Sequence, residues 1–414
     1  MRVLSKVLFF AILGELILGG GGRLVAIGPV SLRMILFALA MVFTAMETFR
    51  GRRMPRQLTI FLLLFIASLA LASAIGFMSG ASLTFLIEDV KPLLYVLILP
   101  FFYFVTSEMK ITQTIPAIII SGAFLMSLVF LAILVLIHSG VLPFLDFYDL
   151  VVPTGEFFFR AETTFFYKGF IYLCIALVFV SLSDFKYRIP ILFVLSISIV
   201  LTFTRGFVFA LAMTWMFYSL LERRYVHLVA GVIALVLIGL FAKPAIYQLS
   251  TVLHTLKGYD EHIVPKDRLL GNREASDSGR AEQFRQVVAR VTPISFAVGH
   301  GFGHGVPSRP LHMEISYLEI LHKQGVVGLG IWAYLFYLIY VRFYSCGQSR
   351  EAKGYFYGVC LLFFQSITNQ FINNPIGLGF AILSLVWLEH ASAIPNHQSA
   401  PRHQKGDELS VTNF

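Results

Sequence analysis

The chain has 414 residues, 57% of them hydrophobic and only 13% charged, with a mean hydropathy of +0.79. A soluble domain carries roughly a quarter charged residues, so a water-dissolved enzyme of this length is excluded and lipid must solvate much of the surface. The net charge of +9 does not point to nucleic acid, because the basic residues sit in short segments between apolar runs, as in membrane proteins.

Apolar runs of helical length fall at 7–21, 27–47, 57–78, 91–107, 113–137, 165–183, 189–204, 207–221, 226–247, 314–341, 355–371 and 375–391. A bilayer span takes about 20 residues, so the pattern predicts an all-α integral membrane protein with about 12 transmembrane helices. The start, Arg2 to Lys6 before an apolar run, imitates a secretory leader. Glu15 interrupts that run and Gly19–Gly22 offers no small-residue cleavage pattern, so a retained first helix is expected. Three cysteines, Cys174, Cys346 and Cys360, give neither a disulfide framework nor a metal-type pair.

Lys and Arg alternate between the two sides. One set holds Arg2, Lys6, Arg50, Arg52, Arg53, Arg56, Lys110, Lys186, Arg188, Arg223, Arg224, Arg342, Arg350, Lys353, Arg402 and Lys405. The opposite short loops hold Arg23, Arg33, Lys91, Arg160, Lys168 and Arg205. Both termini are therefore expected in the cytoplasm. The transmembrane domain covers 1–391, with a polar, disordered cytoplasmic tail at 392–414. Residues 138–165 (acidic and aromatic) and 249–312 (polar, with both charge signs) belong on the periplasmic side. Within the longer loop, Ser278–Val291 reads as a short amphipathic helix capped by Asp277 or Ser278. Its apolar stripe is Ala281, Phe284, Val288 and Val291, suited to the membrane surface or the bundle. No internal repeat is visible, against an inverted-repeat transporter.

Arg205 sits in Leu-Thr-Phe-Thr-Arg-Gly-Phe at the tip of a hairpin of two short helices. Arg188 to Arg205 spans 17 residues, about 26 Å of helix, which sets the arginine near the edge of an apolar slab about 30 Å thick. A cation there faces a polar cavity or snorkels, and a guanidinium fork suits a lipid-borne phosphate. Gly206 would ease the turn and allow close approach of another group.

The second cluster is Gly299-His-Gly-Phe-Gly-His-Gly305, then His312-Met-Glu-Ile-Ser-Tyr317-Leu-Glu319. Alternating glycines suggest a tight turn whose amides face an anion. The spacing of His300, His304 and His312 fits no zinc motif, so no metal is expected. A histidine at a loop-to-helix junction near carboxylates suits proton transfer; a capping role is the bland alternative. Glu319 and Lys323 stand at i,i+4 as a structural ion pair. Gly325, Gly328 and Gly330 read as close helix packing.

Together these pieces resemble the O-antigen ligase and polymerase superfamily of bacterial envelope glycosyltransferases. The resemblance rests on four motifs in order: Thr204-Arg205-Gly206, Gly279-Arg280, Gly299-His300-Gly301-Phe302-Gly303, and His312 before a helix with Gly325 and Gly328. It implies a GT-C-like enzyme of the inner membrane, acting at the periplasmic face without cofactor or metal. It also implies that Arg205 and Arg280, with Arg160 as a third cation, hold the diphosphate, and that His312 deprotonates the acceptor. Ligases of this kind place a small polar residue after the histidine, whereas Met313 and Glu314 follow here. That turns the expectation toward a polymerase of O-antigen or exopolysaccharide repeats and makes Glu314 a second candidate base. The implied partners are undecaprenyl-diphosphate-linked glycan, membrane lipid and a chain-length regulator protein; no nucleic acid is implied. The alternatives are a ligase moving finished glycan onto lipid A-core and a flippase for a lipid-linked sugar. A flippase needs charges along a path through the bilayer, and the notable cations here gather at one side.

Overall fold

A computed structural model describes residues 2–28, 30–107, 114–160, 164–226, 229 and 273–393. The apolar run at 226–247, the loop up to 272 and the tail beyond 393 lie outside the described residues. Every other expected run contains a helix. In chain order these are α1 (Arg2–Leu18), α2 (Leu32–Phe49), α3 (Arg56–Met78), α4 (Leu83–Leu93), α5 (Ile98–Ser107) and α6 (Thr114–His138). A short α7 (Phe144–Val151) precedes α8 (Ile171–Leu182), α9 (Arg188–Leu201) and α10 (Arg205–Leu221). Then come α11 (Arg273–Arg290), α12 (Pro293–Val298), α13 (Ser316–Ser345), α14 (Arg350–Gln365) and α15 (Pro375–Ser392). Two antiparallel hairpins are the sheet among the described residues: β1 (Ala26–Ile27) with β2 (Val30–Ser31), and β3 (Phe157–Arg160) with β4 (Thr164–Tyr167).

Six described segments are long and apolar enough to cross a membrane: Leu32–Phe49, Arg56–Met78, Leu83–Ser107, Thr114–His138, Ser316–Ser345 and Pro375–Ser392. Lys168–Leu182, Arg188–Leu201 and Arg205–Leu221 are shorter apolar helices. The chain is therefore an all-α polytopic membrane protein. Burial grades from 78% of the Pro375–Ser392 window down to 22% for Leu32–Phe49, which makes α15 the hub and α2 a peripheral, lipid-facing helix. Aromatic contacts tie the hub together: Tyr355 stacks on Trp387 at 4.5 Å, and Phe343 on Phe356 at 4.3 Å. Such pairs contribute about 0.5–1.5 kcal/mol beyond burial. At Gly354, an added Cβ would lie 2.4 Å from Phe179, so the missing side chain lets α8 and α14 meet closely.

Two local expectations are corrected. The left-handed residue of the α9–α10 turn is Phe203 (φ 49), not Gly206. Gly206 permits the close approach also expected of it, since a Cβ there would sit 2.7 Å from Thr368 Oγ1. The helix of the long loop starts at Arg273, ahead of Asp277 and Ser278, so neither caps it. Of the two destinations expected for its stripe, the bundle is not the one taken: Phe284 and Val288 are exposed, while Gln283 and Val287 are buried. In a membrane protein an apolar stripe has lipid as a second destination, so periodicity alone does not fix which side is inward.

Candidate functional site at the head of α13

A kink organises this end of the bundle. Gly325 adopts φ 63 and ψ −163 inside α13, which breaks the regular hydrogen-bond ladder and leaves carbonyls of the preceding turn in need of donors. The glycine turn supplies them. His300 N donates to His322 O at 2.8 Å and Gly301 N to Lys323 O at 3.1 Å. The same turn clips onto α3, where Phe302 N donates to Ala72 O at 3.0 Å. Gly299, Gly301 and Gly303 all have φ between 80 and 85, a region that β-carbon sterics deny to most residues. A Cβ on Gly301 would lie 2.1 Å from Gly76 N. The amide at Gly303 does meet an anion, but one from the chain itself: it donates to Asp89 Oδ2 at 2.7 Å.

Asp89 opens onto a buried charge cluster. Lys323 Nζ donates to Asp89 Oδ1 at 2.7 Å, Glu319 Oε1 at 2.6 Å and Leu311 O at 2.5 Å, so its three hydrogens have three acceptors. Glu319 Oε2 accepts from Asn373 Nδ2 at 2.5 Å and from Gln370 Nε2. The Glu319–Lys323 pair expected from spacing is thus present, with Asp89 as an unforeseen third member. His312 stands at the margin. Its Nδ1 lies 3.5 Å from both Asp89 Oδ1 and Glu319 Oε1, and its side chain is 40% exposed where those carboxylates are 2% and 7%. The imidazole is the part of the cluster that a ligand can reach.

The other expected residues fall around this core. Arg280 Nε donates to Glu314 Oε2 at 3.0 Å, and Arg309 meets Glu314 Oε1 at 2.5 Å. Gln283 Oε1 accepts the Glu314 amide at 2.9 Å, so α11 is fastened two residues beyond His312. Arg205 is the first residue of α10. Its neighbour Gly206 packs against Gln365, Thr368 and Asn369, at the start of the loop joining α14 to α15. That loop continues to Gln370 and Asn373 on Glu319, and the Ser316 hydroxyl lies 3.1 Å from Asn369 O and 2.9 Å from Asn373 Oδ1, two acceptors for its one hydrogen. The hairpin tip and the head of α13 therefore share one polar loop. Arg160 lies opposite Thr164 in the β3–β4 register, and Thr164 Oγ1 donates to Leu201 O at 2.8 Å beside the same tip.

Burial lowers the His300 imidazole from its usual value, against a backbone hydrogen bond at Arg290 that raises it. Its ring lies 4.6 Å from that of His322. Among the described residues, Asp89, His312 and Glu319 have ligand-type atoms within 4.8 Å of one another. The Lys323 ammonium already bridges the two carboxylates, in the position a cation would take. Two contributors were not foreseen: Asp89, and the loop Ser366–Asn374. Asp89 could have been flagged as an acid at the edge of an apolar run. The expected run at 355–371 absorbed most of that loop, Ser-Ile-Thr-Asn-Gln-Phe-Ile-Asn-Asn, whereas α14 ends at Gln365.

Fold and geometry define a polytopic helical membrane protein with a charge-paired polar site at one end of its bundle. No family model matches the chain. It is similar to the O-antigen polymerase of Shigella flexneri, with 27% identity over 398 residues, covering 94% of this chain and 96% of that protein. The similarity runs nearly end to end and supports the O-antigen polymerase and ligase superfamily that the four motifs resemble.

Proposed function

We propose that the chain is an inner-membrane polymerase of the O-antigen type. It is a metal-independent glycosyltransferase that joins glycan repeats carried on undecaprenyl diphosphate at the periplasmic face, within a GT-C-like bundle of about twelve spans. One observation carries the reading: a reachable imidazole, His312, borders a buried cluster whose attached loops also hold the arginine-bearing turns of α10 and α11.

The chemistry follows from those parts. His312 Nε2 takes the proton of the acceptor hydroxyl as its oxygen attacks the anomeric carbon of the donor glycan. The bond from that carbon to the diphosphate oxygen breaks, and its electron pair leaves with the diphosphate. Arg205 and Arg280, with Arg160, stabilise the charge that develops there. Attack opposite the leaving group inverts the anomeric centre. Glu314, with a guanidinium on each oxygen, acts as a tether for α11 rather than as the base.

In a deletion strain, single repeats should accumulate on the lipid; long lipid-linked polymer would instead indicate a ligase. Complementation with Arg205→Ala or Arg280→Ala should give no polymer. Normal chain lengths from both variants would overturn the proposal.

A further inference from the structure

We infer that Asp89 is the positioning residue for the His312 imidazole. The inference rests on His312 being the base.

Three observations carry it. Asp89 is 5% exposed although it stands seven positions into a helix that opens an apolar segment. A carboxylate there is costly unless its oxygens are matched. They are matched in a divided way: Oδ2 takes the Gly303 amide, while Oδ1 is shared between Lys323 Nζ at 2.7 Å and His312 Nδ1 at 3.5 Å. Finally, the charges do not cancel. Two carboxylates and one ammonium leave a net charge of −1 at the ring edge where Nδ1 sits. Glu319 and Lys323 belong to the helix that follows His312, so their spacing is set locally. Asp89 comes from α4, 234 residues away from Lys323, and fixes the ring against a second element.

The consequence for the reaction is defined by the ring's two nitrogens. With Nδ1–H turned to the carboxylates, Nε2 carries the lone pair that accepts the acceptor hydroxyl's proton. The ring then becomes positive, and the residual negative charge beside it stabilises that state, in the manner of a carboxylate behind a catalytic histidine. Asp89 touches neither substrate nor leaving group. It acts through His312 alone.

The test uses the full chain in phospholipid nanodiscs and, as substrate, lipid-linked repeats extracted from a strain that lacks it. Asp89→Asn should lower kcat at least tenfold with KM within twofold of wild type, and Asp89→Glu should recover much of the loss. In the background of His312→Gln, Asp89→Asn should cause no further fall. If His312→Gln keeps wild-type turnover, the assignment of the base fails. If His312→Gln is inactive but Asp89→Asn keeps its kcat, or raises KM alone, the positioning role fails while the base stands. Should Asp89→Asn not fold, the pair Asp89→Asn with Lys323→Met removes both partners and leaves Glu319 on its Asn373 and Gln370 amides. A kcat reduced in that variant and not reduced further by His312→Gln supports the inference, since a loss caused by Lys323 alone would add to that of the histidine. Wild-type kcat would show that Asp89 serves only as the counter-ion of Lys323, and would overturn it.

Discussion

Two of the buried charge clusters among the described residues differ in the group that stands at their edge. Near the start of the chain, Arg33 Nε donates to Glu15 Oε2 at 2.7 Å and Arg33 Nη2 to Gly20 O at 2.7 Å. Glu156, fully buried, accepts the amides of Gly21 at 2.5 Å and Arg23 at 3.0 Å, and Tyr167 donates to Leu18 O at 2.5 Å. The glycine turn there wraps a carboxylate from 135 residues away and clips α1 to the β3–β4 hairpin. Its Arg33, Glu15 and Glu156 groups are buried, and the outward member beside them is the Lys168 amine, 3.9 Å from Glu156 Oε2 with a side chain 31% exposed. The cluster of Asp89, Glu319 and Lys323 is built from the same interactions, yet it borders an imidazole that is 40% exposed. An ammonium at the edge of one cluster holds its carboxylate, whereas an imidazole at the edge of the other can accept a proton.

The comparison can be broken in graded steps. The largest effect is expected from Lys323→Met, which leaves two carboxylates facing each other in a dry site. Removing one member of a buried pair costs about 3–5 kcal/mol, so the melting temperature should fall by many degrees and turnover should be lost with it. Arg33→Met should cost about 3 kcal/mol by the same argument, but the molecules that remain folded should polymerise at the wild-type rate. Equal turnover loss per folded molecule in the two variants would erase the distinction between the clusters. Gly301→Ala is a smaller disturbance, about 1–3 kcal/mol for a side chain forced into φ > 0 and against α3. It should loosen the turn and reduce turnover severalfold, readable by differential scanning fluorimetry alongside the polymer assay. Smallest of all is Arg285→Ala: its guanidinium is 76% exposed and pairs with Glu282 on the same helix, so turnover should change less than twofold.

How much of this was legible from residue order depends on the range of each interaction. The helices were, because lipid imposes length and apolarity on every span. Arg280 and His312 could be singled out as candidates, because their motifs are local. The Glu319–Lys323 pair was readable from i,i+4 spacing, but its third member was not, since Asp89 reaches it only through the packing of α4 on α13. Gly301 was singled out as a turn residue, while its actual partner, α3 at Gly76, lies across the bundle. The stripe of α11 was legible as apolar but left two destinations open, the membrane surface or the bundle, because apolar means inward only where water lies outside. Phe203 in the left-handed region had no signal in the sequence, since Gly206 stood nearby as the more permissive choice.

The central claim is that the reachable imidazole does the chemistry while the charges beneath it hold it in place. Turnover per folded molecule of purified His312→Gln tests this most directly. A general base contributes about a hundredfold or more, so the rate should fall by at least that factor with the melting temperature unchanged. A variant that still polymerised at close to the wild-type rate would contradict the account.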